Sequence, residues 1–296
     1  EIMPSLVGSE MCIRDSFTSP VTGDITLYAK WNKNSGGGGG STTTYFYFAI
    51  EKVDTQDGHA LNAATVRNYR GSTPELLNGE DHFAYIVGHN DGNVYPNGLI
   101  SRAETAAVFF RLLKDEVRDG NLLTSNTYSD VPDDYWANTA ISTMTGLGIV
   151  QGRSATTFDP KAPITRAQFA AICARFDTGK SSGTQSFTDI KGHWAEKYIE
   201  RAAELGWIQG FADGTFRPDT YITRAQAMTM INRVLNRTPE DEEDLLKGMK
   251  VWPDCNPGDW FYLAVQEATN SHDYKDRGGE VWTKLTRDPD WTRYER

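Results

Sequence analysis

Cysteine is scarce in this chain: Cys12, Cys173 and Cys255 are the only three in 296 residues, form no CxxC pair and cannot all pair with one another. Cys173 follows Phe169 on the apolar face of a helical pattern and reads as a small buried hydrophobe. Long apolar runs are also missing, and none approaches the ~18–20 residues of a membrane span. No basic stretch followed by an apolar one opens the chain, so either the protein is cytoplasmic or its true N-terminus is missing. Basic residues are outnumbered, 30 Lys and Arg against 40 Asp and Glu. A net charge of -10 argues against nucleic acid as a partner, and any anionic ligand must be drawn in by local cations. Catalytic fingerprints are absent too: there is no GxSxG, P-loop or Rossmann pattern. His193 lies near Asp189 and Glu196 without an HExxH or a second His at ligand spacing, which makes a zinc site there unexpected. The Asp91 and Asp213 turns lack the acidic ladder of an EF-hand, and no carboxylate pair stands out for glycoside hydrolysis. No cofactor and no catalytic residue is expected.

What is present is a phrase used three times: Ile100-Ser101-Arg102-Ala103-Glu104, Ile164-Thr165-Arg166-Ala167-Gln168 and Ile222-Thr223-Arg224-Ala225-Gln226. Ser or Thr at an N-cap accepts from the backbone three residues on, while Glu or Gln there reaches back, so each copy predicts a helix start with a capping box. Apolar residues follow at helical spacing, such as Val108, Phe109 and Leu112, or Ile231, Val234 and Leu235. Three amphipathic helices are expected. Arginine in the first turn opposes the helix macrodipole at a cost of roughly 0.3–1 kcal/mol. Each Arg either pairs with a carboxylate elsewhere in the fold or joins the helix N-terminus in binding an anion. Recurrence of a locally unfavourable residue favours the ligand.

Around these phrases the chain repeats with a period of about 60 residues, the mark of stacked units. The fullest unit runs Phe187, Asp189, His193-Trp194, a helix, Gly206 to Gly210, Asp213-Gly214, Pro218 and the third phrase. The middle unit runs Tyr128, Asp130, Tyr135-Trp136, a helix, Gly148 to Gly152, Phe158, Pro160 and the second phrase, with Ser154 to Thr157 in place of Asp-Gly. The first begins midway, with Phe83 to Gly88, Asp91-Gly92, Pro96 and the first phrase. Its missing front half stands at the far end, as Trp252, Asp254, Trp260-Phe261 and Ala268. The chain thus holds three whole units, one split between its ends. The Trp260 helix is expected to pack beside the Phe83 to Leu113 segment.

An aromatic, Asp, HW or YW, a helix, a Gly-flanked turn, DGTFxP and ITRAQ in this order resemble the S-layer homology domain over about two-thirds of the chain. The resemblance implies a mainly α fold, a pseudo-threefold helical trimer described as a three-pronged spindle. It implies a noncovalent anchor in the cell wall or S-layer of a Gram-positive-type bacterium, whose partner is a pyruvylated secondary cell wall polysaccharide associated with peptidoglycan. Grooves between units hold the sugar in that family, and the phrase's Arg contacts it, which points to Arg102, Arg166 and Arg224. The expected groove adds Ser101, Thr165 and Thr223, Glu104, Gln168 and Gln226, and Gly88, Gly152 and Gly210. Trp136, Trp194 and Trp260 occupy equivalent places. Their faces can stack on a sugar, although a repeated packing position in the core is the simpler reading. Asp130, Asp189 and Asp254 are expected to satisfy backbone donors in loops.

The organisation expected is repeat one over 77–125, repeat two over 126–184, repeat three over 185–240, and an acidic segment with the closing half-repeat over 241–296. Residues 1–16 resemble translated sequencing-adapter sequence and imply a reading frame truncated upstream. Residues 17–31, ending in ITLYAKW, resemble the last strand of a Listeria–Bacteroides repeat, and 32–44 form a linker with five consecutive glycines. The 45–76 segment reads as β-like and weakly resembles the start of a prealbumin-like or Cna-type B repeat. Three functions are open: a wall anchor of a larger secreted protein, the anchor left from a wall-active enzyme, or a structural S-layer subunit.

Overall fold

The computed structural model of the chain describes residues 26–30, 45–49, 73–183, 187–237, 239–276 and 280–295. The 1–16 segment, the glycine linker and most of the 45–76 segment lie outside them. The chain divides into two units, 1–67 and 68–296. In the first, β1 (Thr26–Lys30) pairs antiparallel with β2 (Tyr45–Ala49), Thr26 opposite Ala49.

The second unit is mainly helical. The three phrases start α1 (Arg102–Leu112), α4 (Arg166–Arg175) and α6 (Arg224–Leu235), and each forms the full capping box that its Ser/Thr and Glu/Gln predict. Between and after them lie α2 (Asp115–Gly120), α3 (Asn138–Gly146), α5 (Glu196–Glu204) and α7 (Tyr262–Thr269). A hairpin of β3 (His272–Asp276) and β4 (Glu280–Leu285) follows, which sequence periodicity did not foresee. The ordered contacts reach back to Thr73, whose hydroxyl donates to Leu235 O.

Three backbone hydrogen bonds join the phrases in a ring. Ile164 N donates to Ile100 O, Ile222 N to Ile164 O, and Ile100 N to Ile222 O, at 3.1, 3.1 and 3.3 Å. All three isoleucines are buried, and Phe109, Phe169 and Phe176 pack nearby with ring centroids 5.2–5.7 Å apart. The helix starts are locked into the neighbouring unit in the opposite cyclic order, each donating to the unit that follows it. Arg102 N and Ala103 N donate to Ala162 O and Pro160 O, Arg166 N and Ala167 N to Thr220 O and Pro218 O, and Arg224 N and Ala225 N to Gly98 O and Pro96 O. The first helix-terminal N–H groups therefore have protein partners, and the expectation of free donors awaiting an anion is corrected.

Each docking loop is held by its aspartate, as expected. Asp130 accepts from Phe158 N and Asp159 N, Asp189 from Phe216 N and Arg217 N, and Asp254 from Val94 N and Tyr95 N. The second residue gripped in each pair, Asp159, Arg217 or Tyr95, has positive φ just before a proline. Two carboxylate bonds offset the ~1–3 kcal/mol that such a conformation costs a non-glycine residue.

Asp254 serves the loop of the first unit, so the split unit is joined across the chain ends. The α7 helix meets the Phe83 to Leu113 segment as expected, and its helical partner is α6. α3 packs on α1 and α5 on α4, each front-half helix lying on the capped helix of the preceding unit, so α7 falls on α6. It meets the Phe83 to Leu113 segment through backbone, Tyr85 N and Ile86 N both donating to Ala268 O at 3.0 Å.

Phe261, Tyr262, Val265 and Ala268 are buried. At about 1.5–3 kcal/mol for each large apolar side chain, their loss approaches the 5–15 kcal/mol stability of a whole domain. Deleting residues 250–296 is expected to abolish cooperative thermal unfolding of the 68–296 unit. A truncated chain that melts at the parent temperature contradicts this arrangement.

Candidate functional site

The guanidiniums of the three phrases are buried, with 4–8% of each residue exposed, and they reach across to the next unit. Arg102 Nε donates to Phe158 O and Nη2 to Gln151 O, at 2.9 and 2.7 Å. Arg166 repeats the pattern on Phe216 O and Gln209 O, at 2.8 and 3.0 Å. Arg224 Nε donates to Val94 O at 2.8 Å. Arg102 also lies over the Phe158 ring and Arg166 over those of Phe211 and Phe216, 4.5–4.9 Å from the centroids. Their first role is to hold the ring together.

One donor separates the three copies. Arg224 Nη1 is taken by Glu104 Oε1 at 2.7 Å, whereas Gln168 and Gln226 stand where Glu104 does and bring no charge. Among the described residues, Nη1 of Arg102 and of Arg166 makes no hydrogen bond. Burial, with Arg217 and Arg233 close by, lowers Arg166 to about 10, and burial with Arg153 nearby lowers Arg102. Both remain cations near neutral pH.

Arg102 lines a groove of about 270 Å³ together with Gln151, Gly152, Arg153, Phe158, Gln168, Ile172, Arg175 and Trp194. Arg153 pairs with Asp159 at 2.7 Å, with both side chains close to half exposed. Arg175 donates to Ile149 O and to the Gln151 amide oxygen and lies over Tyr198. Trp194 is 57% exposed and Trp136 37% exposed, which overturns the core reading for both, while Trp260 is half-buried. A groove with three guanidiniums and an open indole face suits a ligand that is both anionic and ring-shaped.

The other expected residues mostly build the groove. Ser101, Thr165 and Thr223 spend their hydroxyls on the caps, and Glu104, Gln168 and Gln226 close the capping boxes. A Cβ on Gly88, Gly152 or Gly210 would stand 2.1–2.5 Å from the ring of Trp252, Tyr128 or Phe187. These glycines admit the aromatic of their own unit, and Gly152 also lines the groove. Arg111, Arg175 and Arg233, in the last turn of each capped helix, had gone unnoticed although their recurrence was visible.

At the third position the cations are matched from within. Arg111 pairs with Glu295 at 2.8 Å and lies over the Trp291 ring, and Trp136, Trp291 and Tyr294 line with it a space of only about 10 Å³. Its charge is cancelled by Glu104 and Glu295.

The S-layer homology domain family model matches residues 127–170 and 186–228. Cell surface glycoprotein 1 of Acetivibrio thermocellus is 36% identical over 214 residues, 68% of this chain and 9% of that protein. The cellulosome-anchoring protein of the same organism is 36% identical over 209 residues, 68% of this chain and 46% of its own. The surface-layer 125 kDa protein of Lysinibacillus sphaericus is 33% identical over 156 residues, 51% of this chain and 13% of its own. The chain spans less than half the length of each of these three. Enzymes named amylopullulanase and endoglucanase also match about half of this chain. No helix among the described residues is long and apolar enough to cross a membrane.

Replacing Arg102 or Arg166 with Ala strands two buried carbonyls of the next unit. At roughly 1.5–3 kcal/mol per charged hydrogen bond, unfolding should fall by about 5–15 °C. Lys keeps the charge without the fork and should recover part of the loss. Differential scanning calorimetry checks this, and an Arg102→Ala chain as stable as its parent contradicts it.

Proposed function

The chain is an S-layer homology domain protein of the cell surface, and on that premise we propose that its second unit anchors it noncovalently to an acidic wall polysaccharide. The partner class is a secondary cell wall polysaccharide carrying a pyruvylated sugar or a similar carboxylate. In this reading the ring of three units is the three-pronged spindle of the family. The match over 127–170 and 186–228 supplies repeats two and three. Repeat one is assembled from 77–125 and the closing half within 241–296.

The observation that carries the reading is the groove beneath Trp194, where Arg102, Arg153 and Arg175 gather in a chain of net charge -10. A local cationic cleft in an acidic protein selects an anion that fits it and repels polyanions at large. The sugar ring stacks on Trp194, and its carboxylate meets the rim guanidiniums and the remaining donor of Arg102. Repetition gives Arg166, with Arg217 and Arg233, a second groove of the same kind. Anchoring, with no catalytic step, is the function assigned to this region, whatever larger protein carries it.

The test is sedimentation of the full chain with purified Gram-positive walls in three states: intact, stripped of the polysaccharide, and stripped only of its acidic substituent. Binding is expected to the first alone. Trp194→Ala, an exposed change that leaves the fold intact, should weaken it about tenfold, a loss of about 1.4 kcal/mol. Equal binding to stripped walls, or a Trp194→Ala chain that binds like the parent, overturns the reading.

A further inference from the structure

Away from the grooves, the start and the end of the second unit meet in a buried polar cluster. His82, Glu267, His272 and Glu280 are each at most 7% exposed, and one ligand-capable atom from each lies within 4.8 Å of all the others. His82 Nδ1 stands 2.7 Å from Glu280 Oε1, 3.2 Å from His272 Nε2 and 3.4 Å from Glu267 Oε1. His272 Nε2 stands 2.9 Å from Glu280 Oε1 and 3.3 Å from Glu267 Oε2.

Hydrogen bonding fixes what these atoms offer. His272 Nδ1 donates to Asn270 O at 3.0 Å, so in the neutral ring Nε2 presents a lone pair. That lone pair faces two carboxylates and the second imidazole, an arrangement of acceptors facing acceptors. Glu267 Oε1 and Glu280 Oε2 are buried without a hydrogen-bond partner. The nearest buried cation, Arg237, gives Nη2 to Asn78 O and Asp81 O, while its Nε and Nη1 reach no partner. Without a cation these short contacts need protons on both imidazoles, and an unmatched buried acceptor is costly.

We propose that His82 Nδ1, His272 Nε2, Glu267 and Glu280 form a structural zinc site that clasps the two ends of the 68–296 unit. Zinc takes imidazole nitrogen and carboxylate oxygen at about 2.0–2.2 Å, which places neighbouring tetrahedral ligands about 3.3–3.5 Å apart. Spacings of 2.7–3.4 Å through either Glu267 oxygen, and of at most 4.8 Å between one atom from each residue, bracket that value, so modest side-chain shifts admit the ion. The surrounding side chains and the Asn270 carbonyl hold the four ligands in place. Trp282 stacks on the His272 ring and Tyr274 on the His82 ring, each at 3.8 Å, and Trp282 Nε1 donates to Glu267 Oε2. Four protein ligands in a buried setting leave no place for a substrate, so the role is structural. The clasp ties His82, ahead of α1, to the end of α7 and to both strands of the hairpin. It is independent of the anchoring function.

The experiment uses the full chain stripped with EDTA and titrated with ZnCl2 alone, read by calorimetry and elemental analysis. One Zn2+ per chain is expected, with a higher unfolding temperature in Zn2+ than in EDTA. Co2+ in its place should give the visible bands of a tetrahedral site. Glu280→Gln preserves shape and should weaken Zn2+ binding by at least about a hundredfold, beyond the roughly 10–100-fold typical of changes to residues that only support a ligand. His272→Ala should abolish the Co2+ bands. If Glu280→Gln fails to fold, the parent's stoichiometry and unfolding shift decide alone. A folded parent that takes up no stoichiometric Zn2+ and melts equally in Zn2+ and EDTA overturns the proposal, as does a folded Glu280→Gln chain that binds Zn2+ like the parent.

Discussion

The docking of each capped helix onto the loop of the next unit is the constraint on which the rest of the second unit depends. It accounts for the arginine that local helix physics disfavours. Opposing the macrodipole costs roughly 0.3–1 kcal/mol, while a buried guanidinium with two carbonyl partners gains about 1.5–3 kcal/mol from each bond. The cation therefore sits at the N-terminus because its partners belong to the following unit. Ring closure then makes the three units interdependent, as stacked repeats generally are. The unit split between Phe83 and Ala268 is completed by Asp254, which grips Val94 N and Tyr95 N across the ends.

Structure and the proposed recognition share the same residues in unequal measure. Arg102 and Arg166 spend Nε and Nη2 on the ring and keep Nη1, and the Gln residues beside them bring no charge to it. At the third position Glu104 and Glu295 neutralise Arg224 and Arg111, and Trp291 covers the space. Pseudosymmetry of the backbone thus coexists with asymmetry of charge, and the proposed anchoring rests on the cationic grooves.

Much of the fold was legible because its signals are local. The capping boxes at Ser101, Thr165 and Thr223, the loop-holding aspartates and the split unit all follow from residues close in sequence or repeated in register. The destination of the arginines was not legible: a guanidinium aimed at a ligand and one aimed at a neighbour's carbonyl have the same local sequence. The exposure of Trp136 and Trp194 was not legible for a similar reason, since repetition marks packing and binding alike. The packing of α7 on α6 required knowing which way round the ring each front-half helix leans. His82, Glu267, His272 and Glu280 carry no motif because they come from segments far apart in the chain, and only the fold brings them together.

The interlock is tested most directly by native-state hydrogen exchange at the amides of Ile100, Ile164 and Ile222. Each donates to the preceding phrase around the ring, so opening one unit breaks two of the three bonds and leaves the third in a ring that is no longer closed. The account predicts that the three amides exchange at a common rate set by global unfolding of the 68–296 unit. Exchange of one of them through a separate, lower-energy opening while the other two stay protected would contradict it.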